Sequence, residues 1–110
     1  MKRGELWWEI LESSPGADTS RHRPVVVSSA DWWNNEKPPV VAIVPISSSD
    51  KATANNIDVP AGMGGLSNRG ALLSEQLRFV DCRRLIAPIG GELSGEIMDK
   101  LQDVLLRALA

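Results

Sequence analysis

The residues best equipped for chemistry crowd into Arg21-His22-Arg23-Pro24, which holds the only histidine and two of the eight arginines. The β-branched run Val25-Val26-Val27 follows at once and reads as a buried strand. Pro24 pushes Arg23 out of the helical region toward an extended backbone. A guanidinium held at a loop–strand junction keeps a fixed place relative to the sheet. Its planar fork donates parallel hydrogen bonds, which suits phosphate or carboxylate recognition. Other polar groups adjoin strand-like segments: Ser47 at the end of one, and the neighbours Glu75 and Gln76 within another. With those strands side by side, an arginine, a hydroxyl, a carboxylate and an amide on one rim would suit a phosphodiester. Scattered rim polars are more often simply solvated, so spacing alone leaves the matter open.

Other chemistries have less to work with. One histidine and one cysteine make no ligand cluster at useful spacing, so no metal site and no cofactor are expected. Cys82 and His22 match a nucleophilic pair by type, yet a lone cysteine is far more often structural. The glycines at 62, 64 and 65 lack the Gly-Lys-Ser/Thr that opens a helix after a phosphate loop, and they read as a turn. Trp7 and Trp8, neighbours on a strand, should point to opposite faces. Trp32 and Trp33, beside Asn34 and Asn35 in a polar stretch, fit base stacking, an interface or lids over the end of a barrel.

The elements that must position these groups follow from pattern. Glu5–Leu11 reads as a first strand, and Glu12–His22 as a long polar loop of the length that binding loops take. Pro24–Ser29 is a second strand, Ala30–Pro38 a polar connection, and Pro39–Ser47 a central strand apolar on both faces. After a Ser48–Asn56 loop, Ile57–Pro60 is a short strand ended by the turn at 61–65. Ala71–Phe79 reads as one strand interrupted by Glu75 and Gln76. A helical turn is expected at Asp81–Leu85, and Ile86–Leu93 reads as a strand broken by Gly90-Gly91. Ser94 has the character of an N-cap. Ile97, Leu101, Val104, Leu105 and Ala108 then form an apolar stripe at helical spacing, with Lys100 and Arg107 on or near the opposite face. Short strands, irregular loops and one closing helix predict an α+β, mainly β fold: a small, partly closed barrel with a C-terminal helix.

The 110 residues fit a single domain, 1–110, and no apolar run approaches the ~20 residues needed to span a bilayer. The N-terminus has no apolar signal core, and a single cysteine suits a reducing compartment; a cytoplasmic protein is expected. The net charge of −2 excludes a generally basic nucleic-acid coat, although a local groove can still focus positive potential on an acidic protein.

Segments along nearly the whole chain resemble the MazF/PemK family of toxin endoribonucleases. They are KRGELWW at 2–8, GADTSRHRPVVV at 16–27, VVAIVPISS at 40–48, VPAGMGGLSNRGALLSEQLRFVD at 59–81 and RLIAPIGGELSGEIMDKLQDVLLRAL at 84–109. No piece is diagnostic by itself; their order and spacing carry the resemblance. It implies a small SH3-like barrel of the CcdB/PemK type that forms a homodimer. It also implies metal-independent cleavage of single-stranded RNA, often mRNA, in which a 2′-hydroxyl attacks the adjacent phosphorus and expels the 5′-oxygen. Neutralisation by a MazE-like antitoxin with an acidic, disordered tail follows as well.

The family's arginine before the strand-two proline falls on Arg23, its strand-three threonine on Ser47, its acid–Gln pair on Glu75 and Gln76, and its loop acid on Asp18. The candidate catalytic residues are thus Arg23, Ser47 and Glu75, and the candidate RNA-binding residues are Asp18, Thr19, Trp33, Asn34, Gln76 and Arg78. Arg23 would neutralise charge on the phosphate and Ser47 would hydrogen-bond a non-bridging oxygen. Glu75 or Asp18 would take the 2′-hydroxyl proton, with His22 assisting or merely adjacent. Departures lie in the loop, where Gly-x-Glu-Gln becomes Gly16-Ala17-Asp18-Thr19, at Ser47, which lacks the threonine methyl, and in the paired Trp32-Trp33. They bear on sequence preference more than on activity. The rival expectations are a non-catalytic interaction module and a gyrase-poisoning toxin resembling CcdB, because fold does not fix function.

Overall fold

The computed structural model describes residues 1–11, 21–49 and 56–109. Seven antiparallel strands form the sheet: β1 (Glu5–Ile10), β2 (His22–Val27), β3 (Val40–Ser47), β4 (Asn56–Val59), β5 (Gly70–Leu73), β6 (Arg78–Asp81) and β7 (Leu85–Glu92). Among the described residues two α-helices, α1 (Asp31–Asn35) and α2 (Gly95–Leu109), complete the fold. The strand order is β4-β5-β3-β2-β1-β7, with β6 pairing β3 off that path. β6 and β7 follow each other through a turn at Cys82–Arg84, so the sheet curls into an incompletely closed barrel.

β3 is the hinge of the architecture. One edge pairs β2, while the other pairs β6 through Val40–Ile43 and β5 through Ile46–Ser47. The buried Pro45 lies between those two pairings, where a missing N–H interrupts no ladder. Both faces of β3 are covered, so Val41 through Ile46 are all buried and the alternation typical of a half-solvated strand is absent.

Alternation along β1 and β2 sorts the core into two clusters, one on each face of the sheet. Leu6, Val26, Val44 and Ile46 pack under α2, meeting Leu66, Leu72, Leu93, Ile97, Met98 and Leu101. Val25, Val27, Val41, Ile43, Val80 and Leu85 fill the barrel interior, with Trp7 against them. Trp7 therefore belongs to the interior and Trp8 to the opposite face, as adjacent strand residues must; both are half-buried. Ser94 caps α2, its hydroxyl accepting from the Ile97 N–H at 3.3 Å. The stripe buries Ile97, Met98 and Leu101, is half-buried at Val104 and Leu105, and emerges at the exposed Ala108.

Three segments differ from the sequence reading. The polar connection at 30–38 contains α1, a helix too short to be signalled by periodicity and held by hydrogen bonds of its own side chains. Asn34 donates to the Ser29 carbonyl at 2.9 Å and accepts from the Ser29 hydroxyl at 2.6 Å. The single strand read over 71–79 is two strands, β5 and β6, separated by a 3-10 turn at Ser74–Gln76. They pair different halves of β3, and the turn takes up the register slip between them. Gly90-Gly91 does not break β7. A Cβ on Gly91 would lie 3.1 Å from the Gly64 Cα, so its bare backbone admits the turn at Met63–Gly65 against the strand. Among the described residues no helix is long and apolar enough to cross a membrane.

Candidate RNA-cleaving site

The start of β2, the end of β3 and the 65–70 loop converge on a cleft of about 600 Å³. Its walls include Arg23 and His22 from β2, Ser47 from β3, Gln76 from the 3-10 turn, and Trp8 from β1. Each element delivers its group for a local reason. Pro24 pairs with Trp8 across β1 and β2, which puts Arg23 opposite Glu9 and His22 opposite Ile10. His22 and Trp8 pack in a T-shaped pair, with ring centroids 4.9 Å apart. Ser47 ends its strand, and its hydroxyl accepts from the Ser49 N–H at 3.3 Å. Gly70 brings β5 close to β3 at Ile46, where a Cβ would collide with the isoleucine side chain.

The described walls of the cleft carry more positive than negative charge. No described residue on its walls is a carboxylate, while two are arginines, Arg23 and Arg69. Arg69 pairs with Asp58 at 2.5 Å. Arg23 is about one-third exposed, and its Nε lies 3.7 Å from Oε1 of Glu9. Glu9 is fully buried, and Nη2 of Arg78 donates to both of its oxygens at 2.5 Å. A buried carboxylate is tolerated only when paired in this way.

Arg23, Ser47 and Gln76 thus share one cleft. Arg78 is not among the described wall residues and pairs with Glu9. Glu75 is exposed and faces a separate depression with Val104, Leu105 and Arg107 of α2. Asn34 is buried, and its amide is committed to Ser29. The Trp33 indole donates to the Val40 carbonyl at 3.0 Å and packs edge-on to Phe79 and to the exposed Trp32. Asp18 and Thr19 lie outside the described residues. Sequence reasoning missed Trp8 as a wall, Arg69 as a second cation, and Glu9 altogether. Alternation placed Trp8 opposite Trp7 but could not say which of them faced a cleft. Glu9 carried no signal, because its partner Arg78 is 69 residues away.

Residues 2–109 match the model of the PemK-like, MazF-like toxin of type II toxin–antitoxin systems. Endoribonuclease EndoA of Bacillus subtilis is 29% identical, over 100% of this chain and 95% of its own length. Endoribonuclease MazF9 of Mycobacterium tuberculosis is 30% identical, over 88% of this chain and 86% of its own. The fold matches a chain of the MazE–MazF crystal structure from Deinococcus radiodurans with a TM-score of 0.80 at 22% identity, over 100% of this chain and 95% of that one. The chain belongs to the PemK-like, MazF-like family of type II toxin–antitoxin toxins.

Proposed function

We propose that this chain is an endoribonuclease toxin that cleaves single-stranded RNA, mRNA included, and is held inactive by a MazE-like antitoxin. The observation that carries the reading is one cleft uniting Arg23, Ser47 and Gln76, with no described carboxylate on its walls to repel a phosphodiester. In-line cleavage forms a 2′-O–P bond and breaks the P–O5′ bond, leaving a 2′,3′-cyclic phosphate and a 5′-hydroxyl. The protein's part is to position the strand, to stabilise charge on the phosphoryl oxygens and to move two protons.

Arg23 supplies the positive charge that stabilises the phosphoryl oxygens. Ser47 donates a hydrogen bond to a non-bridging oxygen, and Gln76 reads a base edge while Trp8 offers a stacking face. His22 is the proton-accepting side chain among the described wall residues, and it takes the 2′-hydroxyl proton in preference to Glu75, which faces elsewhere. The leaving 5′-oxygen collects its proton from solvent or from the returning imidazolium. An acidic antitoxin tail would fold across the same cleft and occupy the arginine as RNA does. A homodimer in the cytoplasm completes the picture.

The test is incubation of the purified chain with a long single-stranded RNA in EDTA, followed by mapping of the new 5′ ends. Discrete cuts are expected, with DNA of the same sequence left intact for want of a 2′-hydroxyl. An uncut RNA would sink the nuclease reading and leave the interaction-module and gyrase-poison alternatives.

A further inference from the structure

Glu9 is the most buried ionisable group among the described residues, and no step of the cleavage reaction uses it. Its place follows from strand alternation. Trp7 and Glu9 share the interior face of β1, and Glu9 is the direct cross-strand neighbour of Arg23. Charge balance alone would be satisfied by Arg78, whose Nη2 contacts both carboxylate oxygens. Yet Oε1 also faces Nε of Arg23, an atom that is itself buried and has no hydrogen-bond partner. The inner edge of the Arg23 guanidinium is therefore turned to the carboxylate while the side chain still forms part of the cleft wall.

We infer that Glu9 is the positioning residue of the nuclease site: anchored by Arg78, it holds the Nε edge of Arg23 inward and so presents the terminal amines of the fork to the RNA phosphate. The proposal rests on the nuclease reading above and deepens it. At 3.7 Å the Nε contact is too long for a hydrogen bond, so the restraint is electrostatic and lets the fork settle on a phosphate. One carboxylate between two arginines leaves a net positive charge at the cleft. Glu9 thus orients Arg23 without cancelling its pull on RNA.

Two variants separate positioning from charge. Glu9→Gln keeps the shape and removes the charge; Glu9→Asp keeps the charge and withdraws it by one methylene. Each is assayed by single-turnover cleavage and by binding to RNA with a 2′-deoxynucleotide at the mapped cut. Expected in both is a cleavage rate at least tenfold lower, with affinity for the uncleavable RNA unchanged or tighter. The NMR signal of the Arg23 Nε–H, assigned by its loss in Arg23→Ala, should be resolved and slow to exchange in the parent and should join the exposed arginines in Glu9→Gln. Equal losses of rate and affinity alongside a lowered melting temperature would mark Glu9 as structural only. Wild-type or faster cleavage with an unmoved Arg23 signal would also overturn the proposal. If Glu9→Gln fails to fold, Glu9→Asp decides on the same readouts. A parent that cuts no RNA would defeat the nuclease reading, while the Arg23 signal would still report whether Glu9 holds the guanidinium.

Discussion

Arg23 is where the chemistry concentrates, and its environment tells what its loss should do. Its side chain lines the cleft and meets Glu9 behind it, without belonging to either apolar cluster. Arg23→Ala is therefore expected to leave the fold intact and to slow RNA cleavage at least ~100-fold, since losing one preorganised charge stabiliser costs about 2.7–4 kcal/mol. Single-turnover rates beside a thermal melt check it, and near-normal cutting would remove Arg23 from the mechanism. This residue was legible in the sequence because its constraint is local: Pro24 and the β-branched run fix its backbone whatever lies across the sheet. Glu9 was illegible for the opposite reason. An acid in an apolar strand reads the same whether it faces solvent or two distant arginines.

Among the short helical elements, one owes its end to a side chain. The 3-10 turn at Cys82–Arg84 joins β6 to β7, and Asp81 caps it by accepting from the Arg83 N–H at 2.8 Å. The Arg83 guanidinium bonds the same carboxylate, and this bond, followed by the backbone one, lowers its pKa from 3.8 to about 2. A folded pKa below the unfolded one stabilises the native state above pH ~4, and that contribution is lost as pH falls through about 2. The Asp81 carboxyl should thus titrate near 2 by NMR and move back toward 3.8 in Arg83→Ala. A midpoint unmoved by that substitution would show that the guanidinium does not hold it. This turn was visible in the sequence, as was α2, whose stripe and Ser94 cap are written at local spacing. The split of 71–79 into β5 and β6 was not, because only the change of partner along β3 requires it.

At the scale of the whole molecule, a net charge of −2 opposes RNA binding unless positive charge is gathered in one place. Affinity should then fall with salt through few contacts, each phosphate neutralised on a single strand contributing about 0.7 to the log–log slope. Arg23→Ala is expected to flatten the slope for uncleavable RNA by about 0.7. Lys100→Ala, on the exposed face of α2 where Lys100 pairs with Glu96, should leave it unchanged. A slope altered equally by both substitutions would mean diffuse rather than focused binding. By itself the sequence determined the mainly β class, the buried central strand, the capped C-terminal helix and the rigid Arg23 junction, all consequences of residues within a few positions of one another. Only the tertiary structure decided that Gln76 shares the cleft while Glu75 turns toward α2, and that Glu9 meets both Arg23 and Arg78. Those outcomes depend on sheet register and on partners far apart in the chain, which no local pattern encodes.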